Sequence, residues 1–341
     1  MNVGSEMARV PVVPFAELHP IVRLKPDYFQ VSRWTGHIPF GMLLIDLLRP
    51  RCFVELGTHF GVSYMAFCQA VKSLDAGTRC YAVDTWAGDS QAGVYSDQVL
   101  RTLRAHHDPA YRSFSTLLQM TFDEAVERFE PGSIDLLHID GCHEYETVRH
   151  DFETWRPKLS DNSVVLFHDT MERDEERGFG VWRFWEELST QFPSFNFTHE
   201  HGLGVLAVGK NYPTGLNAFL EKSPEEQALL RGQFCELGFD VKNQELLRME
   251  AGMAHHIKLL QEQVASLEQF GAGMQYQNAQ LQKALSDANS KDGQSSIEHK
   301  RLYAHFAVVE RQKAKLEAEL RAVHSDRLWR FFARLRGRKS S

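Results

Sequence analysis

The stretch LLHIDGCHEYE, residues 136–146, runs from an apolar segment straight into Asp140, Gly141, His143, Glu144 and Glu146. LFHDT, residues 166–170, does the same with His168 and Asp169. Interior segments that release acids and imidazoles at one end build a site along a sheet edge. Two carboxylates sharing a small space, Asp140 and Asp169, repel each other, and a divalent cation between them relieves that cost. Oxygen donors with open positions suit Mg²⁺, which would lower the pKa of a bound hydroxyl. His143 is the natural general base, because an unperturbed imidazole titrates near neutral pH. Without a metal, His143 or Asp140 has to remove the proton unaided. A plainer alternative leaves Asp140 accepting from backbone amides of the next helix, with Glu144 and Glu146 serving that helix's first turn.

For these groups to meet, their segments must be neighbouring strands. Residues 51 to about 210 alternate short apolar runs with amphipathic stretches. RCFVELG, RCYAVDTW, FSTLLQM, SIDLLHID and SVVLFHD read as strands. GVSYMAFCQAVKSL, TFDEAVERF, YETVRHDFETWRPKL and VWRFWEELSTQF read as the helices between and after them. Connections of that length imply parallel pairing. Near-continuous apolar strands imply helices on both faces. FNFTHEHGLGVLAVGK breaks the alternation with two strand-like runs around a short glycine turn, an antiparallel hairpin. In an open sheet of this kind ligands lie beyond the carboxyl ends of the strands, where Asp140 and Asp169 project.

FVELGTHFGVS supplies the other half of such a crevice. Glu55, Gly57 and Gly61 stand at a tight turn between strand and helix, where glycine permits close backbone approach. A dinucleotide site would want G-x-G-x-x-G, but His59 and Val62 occupy the second and third glycine positions. This counts against NAD or FAD, and so against an oxidoreductase. A nucleoside without a pyrophosphate tolerates His59; S-adenosyl-L-methionine is such a ligand, and Asp84 in YAVDTW is the acid its ribose needs. The neighbouring Trp86 either covers the cofactor, stacks on a sugar or fills the crevice wall. His106 and His107, in LRAHHDP, read as surface residues or as lining for an acceptor pocket.

Taken together, VELGTHFGVSYMAF, YAVDTWAGD, IDLLHIDGCHEYETVRHDF and VVLFHDT resemble a class I S-adenosylmethionine-dependent methyltransferase. The similarity is narrower still to the bacterial cephalosporin-hydroxylase-like and macrolide-sugar O-methyltransferases, and spans residues about 30 to 210. It implies an α/β fold: a Rossmann-like, doubly wound, mostly parallel seven-stranded sheet with a terminal antiparallel hairpin. It further implies cofactor contacts from Glu55, Gly57, Thr58, Gly61, Ser63, Asp84, Thr85, Trp86 and Asp140, and catalytic roles for His143 and Asp140. In the resembled sugar enzymes a metal is held by an acid matching Asp140 and by an acidic pair matching His168 and Asp169. Histidine at 168 leaves either a mixed nitrogen–oxygen site, favouring Mn²⁺ or Fe²⁺ over Mg²⁺, or His168 outside the metal shell. The acceptor implied is a sugar or glycan hydroxyl in surface polysaccharide synthesis. A catalytically silent scaffold in a glycan-assembly complex is the competing reading.

The 341 residues carry a formal charge of -7, which gives no reason to expect nucleic acid. Five cysteines without CxxC spacing fit a reducing cytosol, with Cys52, Cys68 and Cys80 as small buried hydrophobes. No signal peptide or membrane span is expected, so the location implied is cytoplasmic. From Gln244 the period becomes seven: Leu246, Met253, Leu260, Leu267, Met274 and Leu281 form one seam, with Met249, Phe270 and Ala284 beside it. A polar break near 286–296 precedes a second helical segment bearing Leu302, Phe306, Val309, Leu316, Leu320 and Val323. His256, Gln263 and Gln277 interrupt the seam, so the pattern reads as C-terminal coiled-coil helices that make a homo-oligomer or, in the plainer alternative, as a helix packed back on the domain. RLWRFFARLRGRK, rich in arginine and aromatics, would contact the inner membrane face or a partner protein, a glycosyltransferase being the partner implied by the resemblance. The expected organisation is 1–50 lead-in helices, 51–212 methyltransferase domain, 213–243 connector, 244–325 coiled coil and 326–341 basic amphipathic tail.

Overall fold

The computed structural model describes residues 19–288, apart from 90 and 92, and nine separate positions between 304 and 321. It divides into two units, Met1–Asn243 and Gln244–Ser341. The first part of the lead-in, the hydrophobic seam of the second helical segment and the basic tail lie outside the described residues.

In the first unit, α1 (Ile38–Leu48) is apolar on nearly every side, and nine of its residues are buried. It stops at Arg49, in the left-handed region, just before Pro50. There follow β1 (Cys52–Leu56), α2 (Val62–Ser73), β2 (Arg79–Asp84), and a small hairpin, β3 (Gly88–Asp89) with β4 (Gly93–Val94). Next come α3 (Gln98–Tyr111), β5 (Ser115–Gln119), α4 (Phe122–Val126), β6 (Ile134–Ile139), α5 (Tyr145–Trp155) and β7 (Leu159–His168). The first unit closes with α6 (Val181–Ser189), β8 (Ser194–Phe197), β9 (Leu203–Ala207), α7 (Asn217–Leu220) and the beginning of α8 (Pro224–Ala288).

The seven-stranded sheet has the order β5-β2-β1-β6-β7-β9-β8. Its first five strands are parallel, while β9 runs antiparallel to both β7 and β8. This is the Rossmann-like doubly wound sheet with a terminal hairpin expected from the sequence. Strand order reverses between β1 and β6, so the chains leaving these neighbours diverge and open a crevice between them.

Alternation along the strands divides the interior. Phe53, Leu136, Val164 and Leu166 face α1 and α2, whereas Val54, Leu56, Leu137, Val165 and Phe167 face α5 and α6. Burying each such side chain contributes roughly 1.5–3 kcal/mol, which places the main stabilisation beneath the crevice. The same parity puts Glu55, its register partner His138, and His168 on the α1 side. There the strand ends turn from hydrocarbon to ionisable groups.

The hairpin β3–β4 and helix α3 occupy the segment between Asp84 and β5. His107 on α3 is buried, which excludes the surface position, one of the two expected for it. Its Nε2 lies 2.7 Å from Ser115 Oγ, which is also 2.6 Å from the Tyr64 hydroxyl. A hydrogen-bonded network inside the core therefore explains a histidine that looked solvated.

In the second unit, α8 continues without interruption to Ala288. Leu260 and Met274, two seam positions, are buried, but Phe270, placed beside the seam by the heptad, is 53% exposed. Among the described residues no helix is long and apolar enough to cross a membrane.

Candidate active site

The crevice floor is fixed by backbone geometry. Gly57 has φ of +86°, and a Cβ placed there would lie 2.2 Å from the carbonyl oxygen of Asp140. The β1 turn therefore touches the chain leaving β6 with nothing between them. Gly57 N–H donates to Val83 and the Asp140 amide donates to Leu56, carrying the ladder past the strand ends. Gly61, φ +80°, begins α2, and Thr58 and Ser63 are buried beside it.

Asp84 organises this turn. Its Oδ2 accepts from the amides of Thr58 and His59 at 2.9 and 2.8 Å, and its Oδ1 accepts from Trp86 at 2.6 Å. Trp86 is buried, with its indole N–H on the His59 carbonyl, so it forms wall rather than a free stacking face. Thr85 is exposed.

Glu55 lies beneath the turn and is fully buried. The Trp34 indole can only donate, and it meets His138 Nε2 at 3.2 Å. His138 Nε2 is thus an acceptor, and its Nδ1–H donates to Glu55 at 2.8 Å. Burial raises the Glu55 carboxyl above its usual range, opposed by hydrogen bonds from His138 and Ser63. Glu55, expected from sequence as a cofactor contact, is instead fully buried with His138 as its partner.

Asp140, His143, His168 and Asp169 come together as expected. His168 Nδ1 lies 3.2 Å from Asp140 Oδ1 and 3.1 Å from Asp169 Oδ2, while its Nε2 faces the Glu200 carbonyl. His143 Nε2 is 2.8 Å from Asp169 Oδ2 and 3.8 Å from Asp140 Oδ1. Burial alone would lower both imidazoles. The two carboxylates outweigh it, pushing His143 up to about 9 and His168 well above its ordinary value. Burial likewise opposes ionisation of Asp140 and Asp169, yet the facing histidines hold both well below the usual carboxylate range. The expected base thus enters the cluster as a proton donor. Asp140, His143 and Asp169 each offer one ligand atom within 4.8 Å of the others. Two carboxylates and an imidazole are a mixed nitrogen–oxygen donor set, which fits Mn²⁺ or Fe²⁺ better than Mg²⁺.

Four contributors were not anticipated. Gln91, on the hairpin turn between β3 and β4, accepts from both the backbone N–H and Nδ1 of His143 at 2.9 Å. His201 Nδ1 lies 3.1 Å from Asp169 Oδ1 and the same distance from Glu172 Oε2. The Phe179 ring stacks on His143 at 4.9 Å. None had a signal in periodicity, because all sit on loops. The nearest sequence hint is THEHG at the hairpin tip, where three ionisable residues precede a glycine.

Among the described residues, five of the seven non-glycine residues with positive φ border this region: His59, Trp86, Asp169, Glu200 and His201. Such conformations cost roughly 1–3 kcal/mol each and gather where surrounding structure forces a functional geometry.

Behind the loop, Asp151 is buried, with Oδ2 unpartnered, near Gly141. Burial pushes its carboxyl up to about 7, against the opposing His150 charge and helped by Asp123. A folded-state pKa above the unfolded one means the protonated form stabilises the fold. That contribution is complete below the unfolded value and lost as pH rises through 7. Asp151→Asn should therefore gain about 2–3 kcal/mol relative to wild type between pH 5 and pH 8. Urea unfolding of both proteins at the two pH values measures this, and a gain independent of pH would refute it.

The model of a family described as a methyltransferase domain matches residues 54–170, about a third of the chain. An uncharacterised protein of Sinorhizobium fredii (strain NBRC 101917 / NGR234), y4gI, is 53% identical over 193 residues, 56% of this chain and 21% of the relative. The chain thus spans about a fifth of the length of the curated relative it matches. A putative caffeoyl-CoA O-methyltransferase from Staphylococcus aureus is similar at 14% identity with TM-score 0.41, over 57% of this chain and 89% of that one. An O-methyltransferase from Bacillus cereus in complex with SAH is similar at 15% identity with TM-score 0.40, over 58% of this chain and 93% of that one.

Proposed function

We propose that this chain, which carries a methyltransferase domain at residues 54–170, transfers the methyl group of S-adenosyl-L-methionine to a hydroxyl, on a sugar in glycan assembly. The observation that carries this reading is contact between the two halves of the crevice. The glycine turn after β1 abuts Asp140, so a nucleoside above that turn has its sulfonium end beside the Asp140–His143–Asp169 cluster. A wall of carboxylates and imidazoles suits a polyhydroxylated acceptor better than a flat apolar one.

In the reaction the acceptor oxygen attacks the sulfonium methyl in line. A C–O bond forms, the C–S bond breaks, and S-adenosylhomocysteine leaves as the hydroxyl proton passes to the protein or solvent. Rate comes mainly from holding the two reactants at attack distance. Asp140 is the more open carboxylate, 19% exposed against 7% for Asp169, and accepts the hydrogen bond of the incoming hydroxyl. Asp169 and His168 hold its position from behind. His143 accepts a proton only once the one it shares with Asp169 has gone. Asp140, His143 and Asp169 would hold a divalent cation, which when bound would lower the pKa of the acceptor hydroxyl. The heptad stripe would assemble copies of the chain, and the basic tail would meet a membrane face or a glycosyltransferase.

Calorimetric titration with S-adenosylhomocysteine, with and without chelator, tests the cofactor assignment. Binding should weaken at least tenfold in Asp84→Ala, because three backbone amides lose a charged acceptor whose hydrogen bonds contribute roughly 1.5–3 kcal/mol each. No binding to the wild-type protein would end the reading.

A further inference from the structure

We propose that His143 is the nitrogen ligand of the divalent-cation site completed by Asp140 and Asp169, and that Gln91 is the residue that positions it. The inference rests on the methyl-transfer reading for the purpose of the site, and on the cluster's own geometry for the ligand.

The tautomer of His143 follows from its partners. The backbone N–H of His143 can only donate, and it meets the side-chain oxygen of Gln91 at 2.9 Å. The amide must therefore present Oε1 to His143, and the Gln91 Nε2 donates to the Arg177 carbonyl at 2.9 Å. The same Oε1 lies 2.9 Å from His143 Nδ1, so Nδ1 carries a hydrogen. Nε2, which faces Asp169 Oδ2 and Asp140 Oδ1 and shares its proton with Asp169, is the nitrogen that would give up that proton to offer a cation its lone pair. A ring whose far N–H rests on a fixed carbonyl oxygen is the usual support of a metal-bound imidazole. Stacking on Phe179 fixes the ring plane.

His168 has the same two carboxylates in reach but a different setting. Its side chain is 5% exposed against 21% for His143, and it packs edge-on to His37 at 5.7 Å. His168 thus lies behind the carboxylates, hydrogen-bonding both from the interior. His143 stands on their open side, where a cation must also take water or an acceptor oxygen. The metal set expected from sequence, Asp140, His168 and Asp169, exchanges one histidine for another.

The test uses the full chain and Mn²⁺. Pulsed electron paramagnetic resonance reads nitrogen coupling to bound Mn²⁺, and titration on the same samples reads affinity. Coupling should appear in wild type and in His168→Gln, and disappear in His143→Gln with affinity lowered about tenfold or more. Gln91→Leu should weaken Mn²⁺ by a similar factor, about tenfold, while S-adenosylhomocysteine binding persists. Coupling that survives in His143→Gln, Mn²⁺ bound without nitrogen coupling in wild type, or no Mn²⁺ binding at all would each overturn the assignment. If S-adenosylhomocysteine still binds in those cases, only this inference fails; if it does not bind either, the methyl-transfer reading fails with it.

Discussion

Asp169→Asn should lower methyl transfer by about 10²–10⁴-fold while leaving S-adenosylhomocysteine affinity nearly unchanged. The substitution preserves shape and removes charge at the point where three imidazoles converge. Oδ1 serves His201, and Oδ2 serves both His143 and His168. Whichever way the new amide turns, its NH₂ faces at least one ring nitrogen that now donates. A donor opposed to a donor in a buried setting loses the bond and keeps the desolvation cost, about 1–3 kcal/mol before any effect on charge. On the proposed reading, the carboxylate pair that would prepare the hydroxyl is broken, while the β1 turn that would hold the nucleoside is untouched. Single-turnover rates with saturating cofactor measure the effect. Full activity in this variant would mean the cluster is structural.

Gly57→Ala should damage both the fold and the site. A Cβ at 2.2 Å from the Asp140 oxygen and 2.7 Å from Gly141 Cα has only backbone to push against. The left-handed φ adds a further cost of about 1–2 kcal/mol. With overpacking of about 1–3 kcal/mol, the loss of stability should reach about 2–5 kcal/mol. The turn must also move away from Asp140, so S-adenosylhomocysteine binding should fall by about two orders of magnitude or more. Gly77 supplies the control. It too has positive φ, +71°, but a Cβ there meets nothing within 4 Å. Gly77→Ala should show only the backbone cost and bind cofactor normally. Equal behaviour of the two variants would show that the close approach at Gly57 has no role in binding.

Why some of this site was readable beforehand and some was not follows from where each residue lies. Asp140 and Asp169 terminate apolar strands, and an ionisable group at the end of a buried run is visible in a linear pattern. Asp84 was visible for the same reason, and Gly57 because a glycine turn directly follows a strand. Gln91 and His201 sit on hairpin turns, where no period exists and where the tertiary fold alone decides which way a side chain points. Glu172 and Phe179 belong to a loop after β7 that reads as ordinary polar sequence. His168 was placed in the right cluster, but sequence could not tell its buried side from the open side that His143 occupies. His107 failed in the opposite direction: a polar HHD triplet suggested the surface, and only Ser115, itself bonded to the sequence-distant Tyr64, gives it an interior partner.

Helix α8 lays Gly238 so close to the segment before α1 that an added Cβ would be 2.1 Å from the Gly36 carbonyl. One turn later its Lys242 holds Glu200, whose carbonyl receives His168, at 2.6 Å. The recognisable portion, residues 54–170, is therefore not a cassette that can be lifted out. Cropped at its last residue, it would bare the edge of β7, an invitation to aggregate, and strip the rear of the cluster of its anchor. A fragment meant for expression or for grafting onto another scaffold has to carry α1 at one end and Lys242 at the other.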